Sequence, residues 1–335
     1  MNTIHASSES ERTNYPSLAL PLIFAILFFI MLTLFPAVSR KSVSDSLMLC
    51  YTKLIPSLFL FIVASDVLFS CGAAELIGVI LGAPFEKLFG ISRNGVGAFL
   101  IGLVCGLPLG GKYAITLFEK GLISGSDCER LIGISNNAGM GFVVVGIGYG
   151  FWGSTAFGWL LYVCEIISSI TVGICFKRKA IPIYIAPKSE IQTKNKLSSI
   201  ICSSVQSASY SMLQICGFVI FFSALSAFIS ELLANVGAPA ILSLVPSAIL
   251  EISTGCEALH SFSLSNEPVA CEIAKALTFF SVGFSGMSAH FQLSSFALKS
   301  KIKMKTYYAQ KLLCGIICTL FGVAAVNLFN FKIQK

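Results

Sequence analysis

Charge is what this sequence has least of. Only 23 basic and 16 acidic side chains occur among 335 residues, 12% of the chain, where a soluble globular domain carries about 25%. Length alone would suggest about two soluble domains, but so few polar groups could not cover their surfaces. Secreted, nucleic-acid-binding and cytosolic enzyme readings fall with that shortage, despite a net charge of +7. Paired cysteines are also missing, since no CxxC or CxxH spacing occurs among the twelve. Cys50, Cys71, Cys105, Cys164, Cys175, Cys216, Cys314 and Cys318 sit in or beside apolar runs. Cysteine acts there as a small hydrophobe, so neither a disulfide scaffold nor a metal site is expected. No nucleotide-binding loop is recognisable, so the chain is not expected to use ATP itself.

What is abundant is apolar surface: 55% hydrophobic residues, 28 phenylalanines and a mean hydropathy of +0.83. A helix crosses the hydrocarbon core with about 20 mostly apolar residues, and the sequence offers several such runs. A polar tail, 1–17, precedes the first at 18–36. That tail lacks the basic start of a secretory signal and no small-residue cleavage site follows, so the run is expected to be a retained crossing. The remainder divides around a polar linker at 177–196 into two halves, 50–176 and 206–330. The first half has an apolar run at 54–73, an interfacial stretch near Glu86, Lys87 and Arg93, a glycine-broken run at about 94–122, and an apolar region at 131–176 for two helices. The second half repeats the order at 206–233, about 237–262, 273–298 and 307–330.

Cytoplasmic loops of membrane proteins collect lysine and arginine. The segment 177–196 carries Lys177, Arg178, Lys179, Lys188, Lys194 and Lys196 against Glu190 alone, and 299–305 carries four lysines and no acid. If each broken run is a re-entrant hairpin, each half crosses three times and the second half is inverted relative to the first. Both basic clusters then fall inside, while the acid-rich hairpin with Glu251, Glu257 and Glu267 falls outside. Full crossings at the hairpins would put the clusters out of register. An all-α polytopic protein of two inverted repeats with re-entrant hairpins is expected, its amino terminus inside.

Broken helices free backbone groups that hydrocarbon cannot hydrate, so they persist only against protein or water. Where two broken segments meet near the midplane, transporters place their sites. The first break reads GLVCGLPLGGK at 102–112. Pro108 removes a donor, Gly106, Gly110 and Gly111 permit the turn, and a half-helix is expected to start near Lys112, its N-terminus suited to an anion. An ordinary proline kink is the bland alternative. Asn136 and Asn137 lie inside the uncharged stretch 131–164 and must line water or bond between helices; together they suggest a cavity wall. The second run is expected to break near Gly255 and reads LEISTGCE at 250–257, where Glu251 could hold a coupling cation, a proton or a substrate hydroxyl. A cap or interfacial role is the alternative, weighted toward Glu257. The partner run SVGFSGMSAHFQ at 281–292 offers Ser285, Ser288, His290 and Gln292, the histidine being either titratable or a structural hydrogen-bonder. Asp66 and Glu165 are further intramembrane acids whose partners the sequence does not name.

GLPLGGK, LFEKGLIS and ERLIGISNNAGMGF, followed by LEISTG and FSVGFSGMSAHFQ, resemble the two Gate (nucleoside-recognition) repeats of the YlbJ-like sporulation integral membrane proteins, over roughly 50–325. That family is similar to the concentrative nucleoside transporters in its paired hairpins and inverted repeats. The resemblance implies a role in endospore formation, with dipicolinic acid moved across the outer forespore membrane, and localisation there or in the cell membrane. Matched motif by motif, it implies a substrate site at Gly106, Pro108, Gly110, Lys112, Asn136, Asn137, Glu251, Thr254, Gly255, Ser285 and Gln292. Two departures stand out: Leu107 where many relatives have tyrosine before Pro108, and Ala-Gly-Met after the asparagine pair where a proline is often found.

A multi-pass secondary transporter of a small anionic metabolite is thus expected, with no metal or cofactor beyond a coupling proton or sodium ion. Its partners are a small-molecule substrate and the bilayer, not nucleic acid, and an oligomer is compatible with it. A nucleoside transporter and a non-transporting sporulation scaffold are the alternatives. GFSG at 283–286 also resembles the nucleophile motif of rhomboid intramembrane proteases. A serine nucleophile needs a base within hydrogen-bond reach, and His290, five residues on, lies about 140° around a helix.

Overall fold

The computed structural model describes residues 15–179, 197–264 and 268–328, and all regular structure among them is helical. The tail 1–14 and most of the basic linker, 180–196, lie outside the described residues, as does Glu267. Helix α1, Tyr15–Leu34, leads into α2, Pro36–Leu49. A wider π-type turn at Cys50–Leu54 joins α2 to α3, Ile55–Ser70. The rod from Pro36 to Leu68 is long and apolar enough to cross a membrane. It starts well before the apolar run expected at 54–73. Pro36 is pre-organised for the first helical position, and the charges of α2 hide the helix from a hydropathy reading. Arg40, Lys41 and Asp45 are charged residues of α2, while Ser46, Leu49 and Cys50 are buried about one helical turn apart, and α2 packs on α9, Leu197–Asn235.

Helix α4, Ala73–Phe89, bends by 109° into the arm that begins hairpin 1. Phe85, Phe89 and Phe99 close that corner with ring centroids 4.9–5.7 Å apart. Hairpin 1 consists of α5, Val96–Val104, and α6, Leu109–Glu119. Hairpin 2 consists of α10, Ala240–Leu250, and α11, Ile252–Ser263. At 1.5 Å per residue each arm is roughly 14–18 Å long, about half the hydrocarbon core. The arms of each hairpin pack on one another.

Each hairpin is followed by a helix that is itself broken, which hydropathy does not reveal. Helix α7, Gly125–Ser135, stops at Asn136, and a wide π-type helix resumes at Gly141–Phe151. Helix α12, Pro268–Phe284, gives way at Ser285 to α13, Gly286–Ser300. Both breaks are uncharged and flanked by apolar residues, so each pair reads as one continuous run. Helices α8, Thr155–Cys175, and α14, Lys305–Leu328, complete the two halves. Among the described residues, five helices or helix pairs are long and apolar enough to span a membrane, or six if the bent α4–α5 pair is one span. The protein is a multi-pass integral membrane protein.

Helix–helix packing in lipid relies on close contact and interhelical hydrogen bonds, because lipid tails are as apolar as leucine. Helix α14 packs on α12 and α8, and hairpin 2 packs on α9 and α12. A buried ion pair fastens the α7 start to the α4 end. Arg130 donates to Asp127 at 2.6 Å and to the carbonyl of Gly90 at 2.7 Å, while Asp127 accepts the Ser92 N–H.

Candidate functional site

Hairpin 1 turns through four residues, Cys105–Pro108, with Gly106 at φ +81°. Its second arm starts at Leu109, three residues before the start expected near Lys112, because Pro108 itself caps it and accepts the Lys112 N–H at 2.9 Å. The hairpin is seated backbone to backbone. A Cβ on Gly102 or Gly110 would collide with the carbonyl oxygen of Ser135, and one on Gly106 with the backbone of Gly139. The end of α7 is therefore clamped between the two arms, and the tip rests on the broken segment.

Hairpin 2 turns at a single residue. Glu251 is extended (φ −143°, ψ 118°) between α10 and α11. Its Oε2 accepts the N–H of Thr254 at 2.7 Å, capping α11, as acidic side chains do at helix N-termini. The Thr254 hydroxyl donates to the same oxygen at 3.0 Å and lies 3.1 Å from the Ser223 hydroxyl of α9. The break falls at Glu251 and not near Gly255, where the sequence suggests it. Gly255 serves the crossing of the two arms, since a Cβ there would press on Ser247 and Ala248. Glu251 thus has the cap role that its sequence position allows, but at a buried tip (0% exposed) and with only one oxygen. Its Oε1 has no partner among the described residues. Glu257, weighted toward an interfacial role, is half-exposed and pairs with Lys53 at 2.6 Å.

The two tips, the first break and α13 border a cavity of about 40 Å³, which has room for a few water molecules. Cys105 and Leu107 border it from hairpin 1, Ala138 and Gly139 from the first break, and Glu251, Ile252 and Ser253 from hairpin 2. Ser288 and Gln292 of α13 add polar groups, while Leu54, Leu58, Ile215 and Val219 form an apolar wall beside α3 and α9. Among the described residues, none that lines it is cationic.

Of the residues expected at a site, Glu251 and Gln292 line this cavity. Gly106 and Pro108 belong to the tip beside it, and Gly110 seats the hairpin. Thr254 stands behind Glu251. Lys112 is half-buried but does not line the cavity, and its Nζ lies 5.5 Å from the centre of the Phe296 ring. The asparagines contribute through the backbone after them. Asn136 donates to the Tyr307 hydroxyl at 2.8 Å, and Asn137 donates to the Ile134 carbonyl and to Ser169. Their side-chain donors serve interhelical bonding, the alternative to the cavity-wall expectation. Ser285 sits at the second break in a left-handed conformation (φ 74°), strained for a residue with a Cβ. Neither histidine among the described residues is turned to Ser285: His290 bonds the Tyr307 hydroxyl at 2.6 Å, and the His260 ring lies 5.2 Å from Trp152.

Some polar residues escape a sequence reading. Glu165, whose partner the sequence leaves open, accepts the Ala138 N–H at 2.6 Å. Lys311 reaches Asn137 Oδ1 at 3.3 Å. Tyr307, Gln310, Lys311 and Cys314 are all buried, and their i, i+3, i+4, i+7 spacing marks one helix face. That periodicity is the available signal, masked by the position of Lys311 near a helix end, where lysines commonly reach for the interface.

Hairpins, broken helices and a shared cavity define a transporter-type membrane fold. Three solved structures of CNTnw share it. One is an inward-facing substrate-bound state (TM-score 0.53, 11% identity, 96% of this chain and 86% of that one). The second is a single-substitution variant in an intermediate state (0.56, 12%, 92% and 86%). The third is a doubly substituted variant in an outward-facing state (0.55, 11%, 95% and 86%). The fold is that of the concentrative nucleoside transporters, and at such identities the likeness speaks for the fold alone. In sequence, the chain is 25% identical over 328 residues to the sporulation integral membrane protein YlbJ of Bacillus subtilis (strain 168), spanning 88% of this chain and 80% of that protein. No family model matches the chain.

Proposed function

We propose that this protein is a secondary transporter whose substrate binds between the two hairpin tips, the halves being inverted repeats. The observation that carries this reading is Glu251. One of its carboxylate oxygens caps α11, and the other is left without a partner among the described residues, at a cavity bordered by both tips, the first break and α13. An unpaired buried charge is costly, so such an oxygen is a place for a ligand hydroxyl, a coupling proton or a cation. Of the residues named from the sequence, Glu251 and Gln292 are taken to contact the substrate, Gly106, Pro108 and Gly110 to seat the first tip, and Thr254 to hold Glu251.

The substrate is taken to be dipicolinic acid, moved across the outer forespore membrane during sporulation. The similarity to a sporulation membrane protein supports the setting. A dianion beside Glu251 requires its charge to be cancelled, because no cationic side chain among the described residues lines the cavity. Dipicolinate therefore travels with protons or a cation, and Glu251 is where the two loads meet. Lys112, outside the lining, is left a long-range role. A second reading, a nucleoside substrate, is favoured by the same wall: a carboxylate, an amide and serine hydroxyls suit a neutral ligand rich in hydroxyl groups.

Uptake into proteoliposomes of labelled dipicolinate and labelled uridine, each with and without a proton gradient, tests both readings. Gradient-driven dipicolinate accumulation is expected. Uridine uptake alone would replace the substrate, and uptake of neither would remove the assignment.

A further inference from the structure

Helix α14 buries a lysine at the first break. Three cationic residues are buried among the described residues, Arg130, Lys275 and Lys311. Arg130 pairs with Asp127, and Lys275 with Glu272. Lys311, 0% exposed, has no ion-pair contact of that kind. Its ammonium donates to Asn137 Oδ1 at 3.3 Å, and Glu165, on the neighbouring helix α8, holds the N–H of the very next residue, Ala138.

The same break leaves a carboxylate oxygen unused. Glu165 is 1% exposed; its Oε1 accepts the Ala138 N–H, and its Oε2 has no partner among the described residues. Asn136 Oδ1, also without a partner among the described residues, lies beside Gly111 of hairpin 1 instead. A buried carboxylate sharing a break with the Asn137 oxygen is an environment for a monovalent cation, and an ammonium and an alkali ion satisfy it by the same oxygens. Here the cation is part of the chain.

We propose that Lys311 is a tethered counter-cation, its ammonium filling a monovalent-cation position formed by Glu165 and Asn137 at the break between α7 and the wide helix. That position then takes no free sodium or potassium, and any ion moved with substrate binds elsewhere. Lys311 also holds the break in its non-helical form, because the charge that attracts it lies behind the freed Ala138 N–H.

The test is the melting temperature of the purified full chain in sodium, potassium and choline chloride at equal ionic strength, which reads the same whether or not the chain transports anything. The wild type is expected to agree across the three salts within about 1 °C. Lys311→Ala vacates the position beside Glu165, so its melting temperature falls in choline and recovers by about 4 °C or more in saturating sodium or potassium. Indifference of Lys311→Ala to the cation, or a sodium shift in the wild type, overturns the proposal. If Lys311→Ala yields no folded protein in any salt, Lys311→Met and the Lys311→Met/Glu165→Gln pair decide. Stability lost in the first and regained in the second supports the counter-cation role. Wild-type stability in the first, or no recovery in the second, overturns it.

Discussion

Hairpin 1 turns through four residues without a charged side chain and rests on the neighbouring break by backbone contact. Hairpin 2 turns at one residue, and that residue is a carboxylate capping its own helix. The first tip is fixed by shape, with Gly102 and Gly110 closing on the Ser135 carbonyl. The second is held by hydrogen bonds that run from Ser223 through Thr254 to Glu251. In lipid the two devices answer the same demand, since each must account for freed backbone groups. Only the second leaves a functional group over, and so the chemistry of the cavity is assigned to hairpin 2 and its seating to hairpin 1.

The comparison can be broken most forcefully at the clamp. Gly102→Ala puts a methyl into the Ser135 carbonyl and is expected to cost about 1–3 kcal/mol or more of stability, read as lost folded yield and a lower melting temperature. A smaller effect is expected at the second tip. Thr254→Val removes one bond to Glu251 Oε2 and the link to Ser223 but keeps the N–H cap, for about 1 kcal/mol by thermal unfolding. The Lys53–Glu257 pair is about a third exposed on one side and more on the other, so Lys53→Ala should change stability by no more than about 1 kcal/mol, and less in high salt. Least of all, Lys112→Gln should alter dipicolinate uptake by less than about twofold, since a screened charge outside the cavity adds little; a large loss would restore the anion role that the sequence suggests for Lys112.

Much of this architecture is legible in the residues. Scarce charge places the chain in a membrane, and glycine and proline mark the break at 102–112, where the structure turns at Cys105–Pro108. The second break lies four residues before the glycine that suggests it, because Gly255 looks like a turn glycine and serves a helix crossing instead. The breaks at Asn136 and Ser285 stay hidden, since interrupted helices of unbroken hydrophobicity carry no hydropathy signal. Glu251 and Gln292 can be found from polarity inside apolar runs. The links from Lys311 and Tyr307 to the asparagine pair span more than 170 residues of sequence, a distance that local pattern does not bridge.

Glu251 bears the central claim, and its conservative replacement tests it most directly. Uptake of labelled dipicolinate by proteoliposomes containing Glu251→Gln should fall by roughly 10- to 100-fold, the worth of one charged hydrogen bond, and should lose its response to a proton gradient. Uptake and gradient response equal to the wild type would contradict the assignment.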